Sequence, residues 1–470
     1  MRCPGAVPGC AEKNRPSPWE WAAPPSNAGS KLEGSDMMMS YEKSLEILNK
    51  SCLSLKATGA EKTACDLSYS KTHELNVDGG EISLFRTIFN TELTLAVIKD
   101  AKKGTMTTNR TDEDSISETV QETYDIALSS EKDPAYDISE QNIMKKELSG
   151  DEPDADLMYE RLKEFTVHVR EKYPAVIMEQ AILDYKVLTR HHKNSNGADL
   201  YHERGFYEFT VMFSAKKGEK SSSFNYANVA MNDLSSPLLD MGGVNRLMGE
   251  APRLIETKPF PGKCVGQIIV TPECLLDFIM FLSSHLSDRA MITRTSFLKD
   301  SLGKDVASPL VTLRSLPLDP CMAGGYAITR DGFPADNLTL IEKGVLKSYL
   351  LSQYGAAKCK MDRAASNGYF YVLDPGHDSL DAMVRRVEKG LLLTRFSGGN
   401  PGENGDFSGV AKNSFLIENG QIKHGLSETM ISGNIKGLFQ NITAVSEDVN
   451  DSGHSRIPWV LTDGITISGK

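Results

Sequence analysis

One recurring unit constrains this chain more than any other feature: a short apolar segment, a tight turn containing glycine, and a second short segment. It occurs as VDGGEI (77–82), around KKGE (216–219), and in IEKGVLKSYLL, IENGQI and TDGITIS. Alternation with period two gives a strand one buried face, and Asp-Gly, Gly-Gly or Asn-Gly supplies the positive φ that a tight hairpin needs. A meander of antiparallel strands is the natural outcome.

Helical spacing interrupts this pattern in a few places. Leu45, Leu48, Cys52 and Leu55 predict a helix over 41–55, and a second is predicted over 112–128 with Thr111 as its N-cap. A third spans about 155–172, with Leu157, Leu162, Phe165 and Val169 on one side and Pro174 as its stop. Further helices are expected over 234–254, over ECLLDFIMFLSSHLSD (273–288) after the apolar strand GQIIVTP, and over DSLDAMVRRVEKG (378–390) with Gly390 as C-cap. HHKNSNG (191–197) reads as a polar turn. The fold class expected is α+β: an N-terminal α+β domain followed by a C-terminal domain of mostly antiparallel β-strands with a few helices. At 470 residues the chain exceeds one simple core. Domains are expected at 39–148, 149–257 and 258–470, with an acidic linker at SGDEPDAD (149–156).

Residues 1–38 are rich in Pro, Gly and Ser and lack the apolar core of a secretory signal. They are expected to be disordered or a mis-extended start, with the natural start at Met37, Met38 or Met39. The net charge of −11 is concentrated: residues 111–160 hold sixteen Asp and Glu against three Lys. A solvated face or linker follows from this, and nucleic-acid binding does not, because phosphate contacts need a basic surface. No apolar run reaches membrane-spanning length. The eight cysteines, Cys3, Cys10, Cys52, Cys65, Cys264, Cys274, Cys321 and Cys359, form no C-x-x-C pair. They suit the reduced thiols of a cytoplasmic protein.

The usual catalytic signatures are missing. H-E-x-x-H needs two imidazoles one helical turn apart. His73-Glu74 and His202-Glu203 have no second His in register. His191-His192 is expected to be solvent-exposed in its turn. No G-x-S-x-G elbow is present, and Ser452-Gly453-His454-Ser455 is too local to make a working nucleophile and base. Cys321 has no evident base. GGNPGENGD (398–406) lacks the Lys-Ser/Thr ending of a phosphate loop.

Four stretches, NSNG (194–197), GLLLT (390–394), GDFSGVAKNSFLIENGQI (405–422) and ETMISGNIKGLF (428–439), together give the chain from Met39 to Lys470 a form that resembles the TldD/PmbA family, also described as modulators of DNA gyrase. The TldD branch of that family carries H-E-x-x-x-H on a helix after a buried strand, with a cysteine near the C-terminus as third zinc ligand. In the corresponding helix here, aligning His285 with the second histidine puts Met280 at the first and Phe281 at the glutamate, and no cysteine follows Cys359. The resemblance therefore points to the TldE/PmbA branch, with no catalytic and no metal-ligating residue in this chain.

It implies a non-catalytic subunit of a zinc metallopeptidase complex that degrades or matures unfolded peptides. Zinc would be held by a TldD-like partner in a heterodimer, with self-association as a homodimer also open. Contacts to substrate or partner are expected at Asn196, Gly197, Gly405, Asp406, Phe407, Gly433 and Asn434. There, small residues let a backbone approach closely, Asp406 can accept from amides, and the Asn434 amide can hold a carbonyl. A plain glycine loop remains the alternative for 405–434. A metallopeptidase active alone and a non-enzymatic scaffold remain alternatives for the whole chain.

Overall fold

Gly79 (φ +59°) and Gly80 (φ +87°) close the first hairpin as a two-residue turn with both residues left-handed, the geometry that matches the twist of its strands. The computed structural model describes residues 39–148, 153–398 and 400–469. The segment 1–38 and the first half of the expected linker lie outside them. The hairpin joins β1 (Lys62–Asp78) to β2 (Glu81–Lys99), and β3 (Lys102–Thr108) continues the meander. With β4 (Ile143–Leu148), β5 (Val176–Asn194) and β6 (Asp199–Lys217), these form a sheet in the order β3-β2-β1-β5-β6-β4, with the strand Asn225–Met231 also on β6. This sheet takes strands from both sides of residue 149.

Helix α1 (Tyr41–Ala57) starts where Ser40 Oγ accepts from Lys43 N at 3.2 Å. Helix α2 (Glu113–Ser129) is capped by Asp112, whose carboxylate accepts from Ser115 N at 3.0 Å. Asp112, one residue beyond the expected Thr111, is the stronger cap because its acceptor is charged. Leu48 and Leu55 of α1 and Ile116 and Val120 of α2 pack on Cys65, Leu67, Leu93 and Leu95 of the sheet. Helix α3 (Ala155–Lys172) ends at Tyr173, before Pro174. The bare face of the sheet, opposite α1 and α2, looks toward the second half of the chain.

That half is a larger mixed, mostly antiparallel sheet. Its hairpins use the expected turns: Lys343 (φ +47°) with Gly344 (φ +86°), and Asn419 (φ +51°) with Gly420 (φ +68°). Helix α5 (Pro272–Ser284) packs in its core. The fold is α+β, and among the described residues no helix is long and apolar enough to cross a membrane.

Several local expectations are corrected. The stretch 234–254 is broken into a short 3-10 turn, Leu238–Asp240, then α4 (Val244–Glu250), then a second turn, Ala251–Leu254. Gly242 at φ +49° and Pro252 interrupt it. Helix 273–288 is α5 (Pro272–Ser284), and His285 is its C-cap. Gly390 caps nothing. The helix stops at Arg386, and Gly390 lies in the strand Lys389–Leu393. A Cβ there would sit 2.0 Å from Gln267 O of the neighbouring strand, so close strand approach is what demands glycine. TDG is no turn either. Gly464 (φ +81°) lies inside the strand Arg456–Ser468. Finally, β5 runs through Asn194, so His191 and His192 are strand residues and are buried.

Candidate functional site

Helix α5 begins with Pro272 in its first turn, where a missing N–H costs nothing. Cys274, Leu275, Phe278, Ile279 and Leu282 face the core. Phe278 sits in an aromatic cluster, with ring centroids 5.2 Å from Phe407, 5.5 Å from Phe396 and 6.4 Å from Phe281. On the other side Met280 is 37% exposed. It lines a cleft of about 360 Å³ together with Ser283, Arg289, Arg330, Asp331 and Asn367. At the end of α5 the His285 ring packs tilted against Phe297 with centroids 4.3 Å apart, and its Nδ1 is buried with no hydrogen bond. Burial lowers its pKa, with Glu403 acting weakly the other way. Among the described residues no three His, Cys, Asp or Glu side chains converge as a metal-ligating group. The cleft offers hydrogen-bond donors and acceptors and paired charges, among them the Ser352 hydroxyl donating to Asp288.

The 405–434 residues are brought together behind this cleft. Asp406 pairs across strands with Asn434, and Phe407 with Gly433. Asn434 Nδ2 donates to Asp406 Oδ1 at 2.8 Å and to Asn404 O at 2.9 Å, while its Oδ1 caps the following short helix by accepting from Lys436 N and Gly437 N. Gly405 has φ +84°, and a Cβ there would meet Phe297 at 2.9 Å. Its carbonyl accepts from Ile435 N at 2.8 Å. The close backbone approach is thus met within the chain. The Asn434 side chain is occupied on both ends, so Asn434→Ala should lower stability by about 1–2 kcal/mol. A denaturant melt checks this.

Asn196 and Gly197 lie elsewhere. They form the β5–β6 turn, where Asn196 Nδ2 donates to Ser139 O at 3.1 Å and Gly197 (φ +95°) abuts Gln141.

Two features were not anticipated. The first is a buried relay: Ser44 Oγ lies 2.8 Å from His191 Nδ1, and His191 Nε2 lies 2.8 Å from Asp199 Oδ1. It has the composition of a hydrolytic triad, but Ser44 is 1% exposed and also donates to Tyr41 O at 2.8 Å. Burial lowers the His191 pKa against the opposing pull of Asp199. This is a satisfied core histidine tying α1 to the sheet. The polar run HHKNSNG hides it, because only the strand's continuation through Asn194 turns the ring inward. The second is Arg330. It borders the α5 cleft and two further cavities against the first sheet. Beside it Gly368, Tyr369 and Phe370 are consecutively left-handed at φ +82°, +64° and +47°. For Tyr and Phe this is strain of the kind that gathers at functional sites. The Asn-Gly in SNGYF was the available signal.

Residues 261–469 match the family model of the PmbA/TldA metallopeptidase C-terminal domain. The chain is 23% identical over 449 residues to metalloprotease PmbA of Escherichia coli O157:H7, covering 88% of this chain and 94% of that protein. Its fold matches TldE of Thermococcus kodakarensis with a TM-score of 0.77 at 19% identity, covering 91% of this chain and 100% of TldE. It also matches a proposed DNA gyrase modulator of Bacteroides thetaiotaomicron with a TM-score of 0.80 at 22% identity, covering 92% and 100%. Residues 261–469 thus carry the PmbA/TldA metallopeptidase C-terminal domain, and over most of its length the chain is similar to proteins of the TldD/PmbA family and shares their fold.

Proposed function

We propose that this chain is a TldE/PmbA-type, non-catalytic subunit of a cytoplasmic zinc metallopeptidase complex acting on unfolded peptides. One observation carries the reading: Met280, which the resemblance aligns with the family's first histidine, lines the cleft together with Ser283 and Ser284 of the same helix. Zinc takes Cys, His or carboxylate ligands, and a thioether beside a phenylalanine supplies none of them. His285 is held on Phe297, and the Cys359 thiol is pushed up by burial, further from the thiolate a metal needs. The residues present therefore do not fit zinc, and no hydrolytic step is assigned to them. Their part is to form a wall and hold a chain, with the 405–434 segment bracing α5 through Phe407.

A TldD-like partner would supply the zinc. Support for association comes from β2. It pairs with β3 only from Leu93 onward, so residues 81–92 keep one free strand edge. Leu84, Phe85, Ile88 and Phe89 are exposed there. An unpaired edge with apolar side chains is a surface for another chain. The test is to mix the purified chain with a family member that carries H-E-x-x-x-H. The two should co-elute, and cleavage of an unfolded peptide should exceed that of the zinc-bearing member alone. Separate elution with unchanged cleavage would refute the reading.

A further inference from the structure

A cavity of about 370 Å³ lies between the bare face of the first sheet and the loops around 324–330 and 366–370. Strand register builds its floor. Ser68, Arg190 and His202 form one cross-strand row, and Ser70 and Leu188 lie in a neighbouring row on the same face. Its size suits a small ligand or a single residue with its backbone.

Two of the polar groups around it are fully engaged. Arg190 is bound to Asp66 and to the carbonyls of Ile328 and Thr329. The Tyr326 hydroxyl lies 2.8 Å from Ser366 Oγ and donates to Gly368 O at 3.0 Å. Ser68, Ser70, Asn90 and Glu92 make no side-chain hydrogen bond among the described residues, and two further groups bear most on a ligand. His202 is only 7% exposed and makes no hydrogen bond among the described residues. Arg330 has no carboxylate within ion-pair distance among them. Its guanidinium lies 5.6 Å from the centroid of the Tyr369 ring, and Nη2 reaches Tyr369 Oη at 3.4 Å. A buried imidazole without a partner is costly unless something else satisfies it. The strained Tyr369–Phe370 backbone holds these rings as the opposite wall.

We propose that this cavity binds a small carboxylate on an apolar, ring-sized body. Arg330 takes the carboxylate through its planar fork, His202 makes a hydrogen bond to the same ligand, and the body lies between Leu188 and Phe370. A single free guanidinium matches one negative charge. Glu92 at the rim repels any anion, and repels a phosphate dianion more than a carboxylate monoanion. The carboxylate can belong to a free acid or to the C-terminal residue of a peptide. Nothing in the proposal needs zinc or a partner subunit, so it stands or falls apart from the subunit reading.

The test uses the full chain and calorimetry with three probes: 3-phenylpropionate, N-acetyl-leucyl-phenylalanine and the C-terminal amide of that peptide. At least one of the two carboxylates should bind with Kd below roughly 1 mM, and the amide at least about tenfold more weakly. Binding of the peptide acid alone assigns the site to chain ends, and binding of 3-phenylpropionate assigns it to free acids. Arg330→Gln, at an exposed position, should melt with the parent and bind at least about tenfold more weakly. Leu188→Trp, which fills the floor, should abolish binding. Silence of both carboxylates at millimolar concentration, equal binding of the amide, or unchanged binding by Arg330→Gln would overturn the proposal.

Discussion

Phe278→Ala should destabilise the chain by about 3–5 kcal/mol, the range for emptying a buried aromatic site. Phe278 is fully buried and holds Phe281, Phe396 and Phe407 at centroid distances of 5.2–6.4 Å. The rings come from α5 and two strands, Arg395–Gly398 and Asp406–Lys412. Their backbones are fixed by sheet pairing and collapse only partly into the void, so the cavity penalty adds to the lost burial. Phe278→Leu keeps much of the volume and should cost about half as much. Denaturant midpoints of the two variants check this. A loss under about 1 kcal/mol for Phe278→Ala would mean that α5 is not anchored by this cluster.

Asp66→Ala should cost at least about 3 kcal/mol at neutral pH, because it leaves a partnered, mostly buried guanidinium without its carboxylate. Asp66 accepts from Arg190 Nε at 2.9 Å and Nη2 at 2.7 Å and lies 3.1 Å from His192 Nδ1. Arg190 in turn donates to Ile328 O at 3.0 Å and Thr329 O at 3.1 Å. The carboxylate therefore secures the contact between the first sheet and the loops of the second. Burial alone would raise the Asp66 pKa. Arg190 and His192 outweigh burial and hold it well below the ordinary carboxylate range. The sign follows: the folded state binds this proton less readily than the unfolded chain, so the stabilisation is full above the unfolded pKa of roughly 4. It fades as pH falls from there through the lower folded value. The gap between parent and variant should accordingly be wide at neutral pH and narrow in acid. A gap independent of pH would assign the loss to packing instead.

Helices α1 and α3 and the glycine hairpins were legible because each carries its own local signal: an apolar stripe, a cap, a proline stop, a positive-φ turn. The broken stretch 234–254 had Gly242 and Pro252 in plain view, yet its apolar periodicity outweighed them in the reading. Gly390 and Gly464 were assigned to punctuation because local sequence does not separate a cap or turn from a strand position that needs glycine for close approach or positive φ. The α5 helix was readable from residues alone, whereas the alignment of Met280 with the family's first histidine came only from the resemblance. The Arg330 cavities were not. They depend on how the face of one sheet meets loops far along the chain, and no local pattern encodes that meeting. The same holds for His191, whose ring is buried only because β5 continues through a run that looks like a turn.

Zinc content of the purified, untagged chain tests the central claim most directly. On the proposed reading the chain should carry far less than one zinc after dialysis against the metal and a brief buffer wash, and it should leave an unfolded peptide intact, because the resemblance aligns Met280 with the family's first histidine. Near one zinc per chain, with peptide cleavage that a chelator abolishes and zinc restores, would contradict the account.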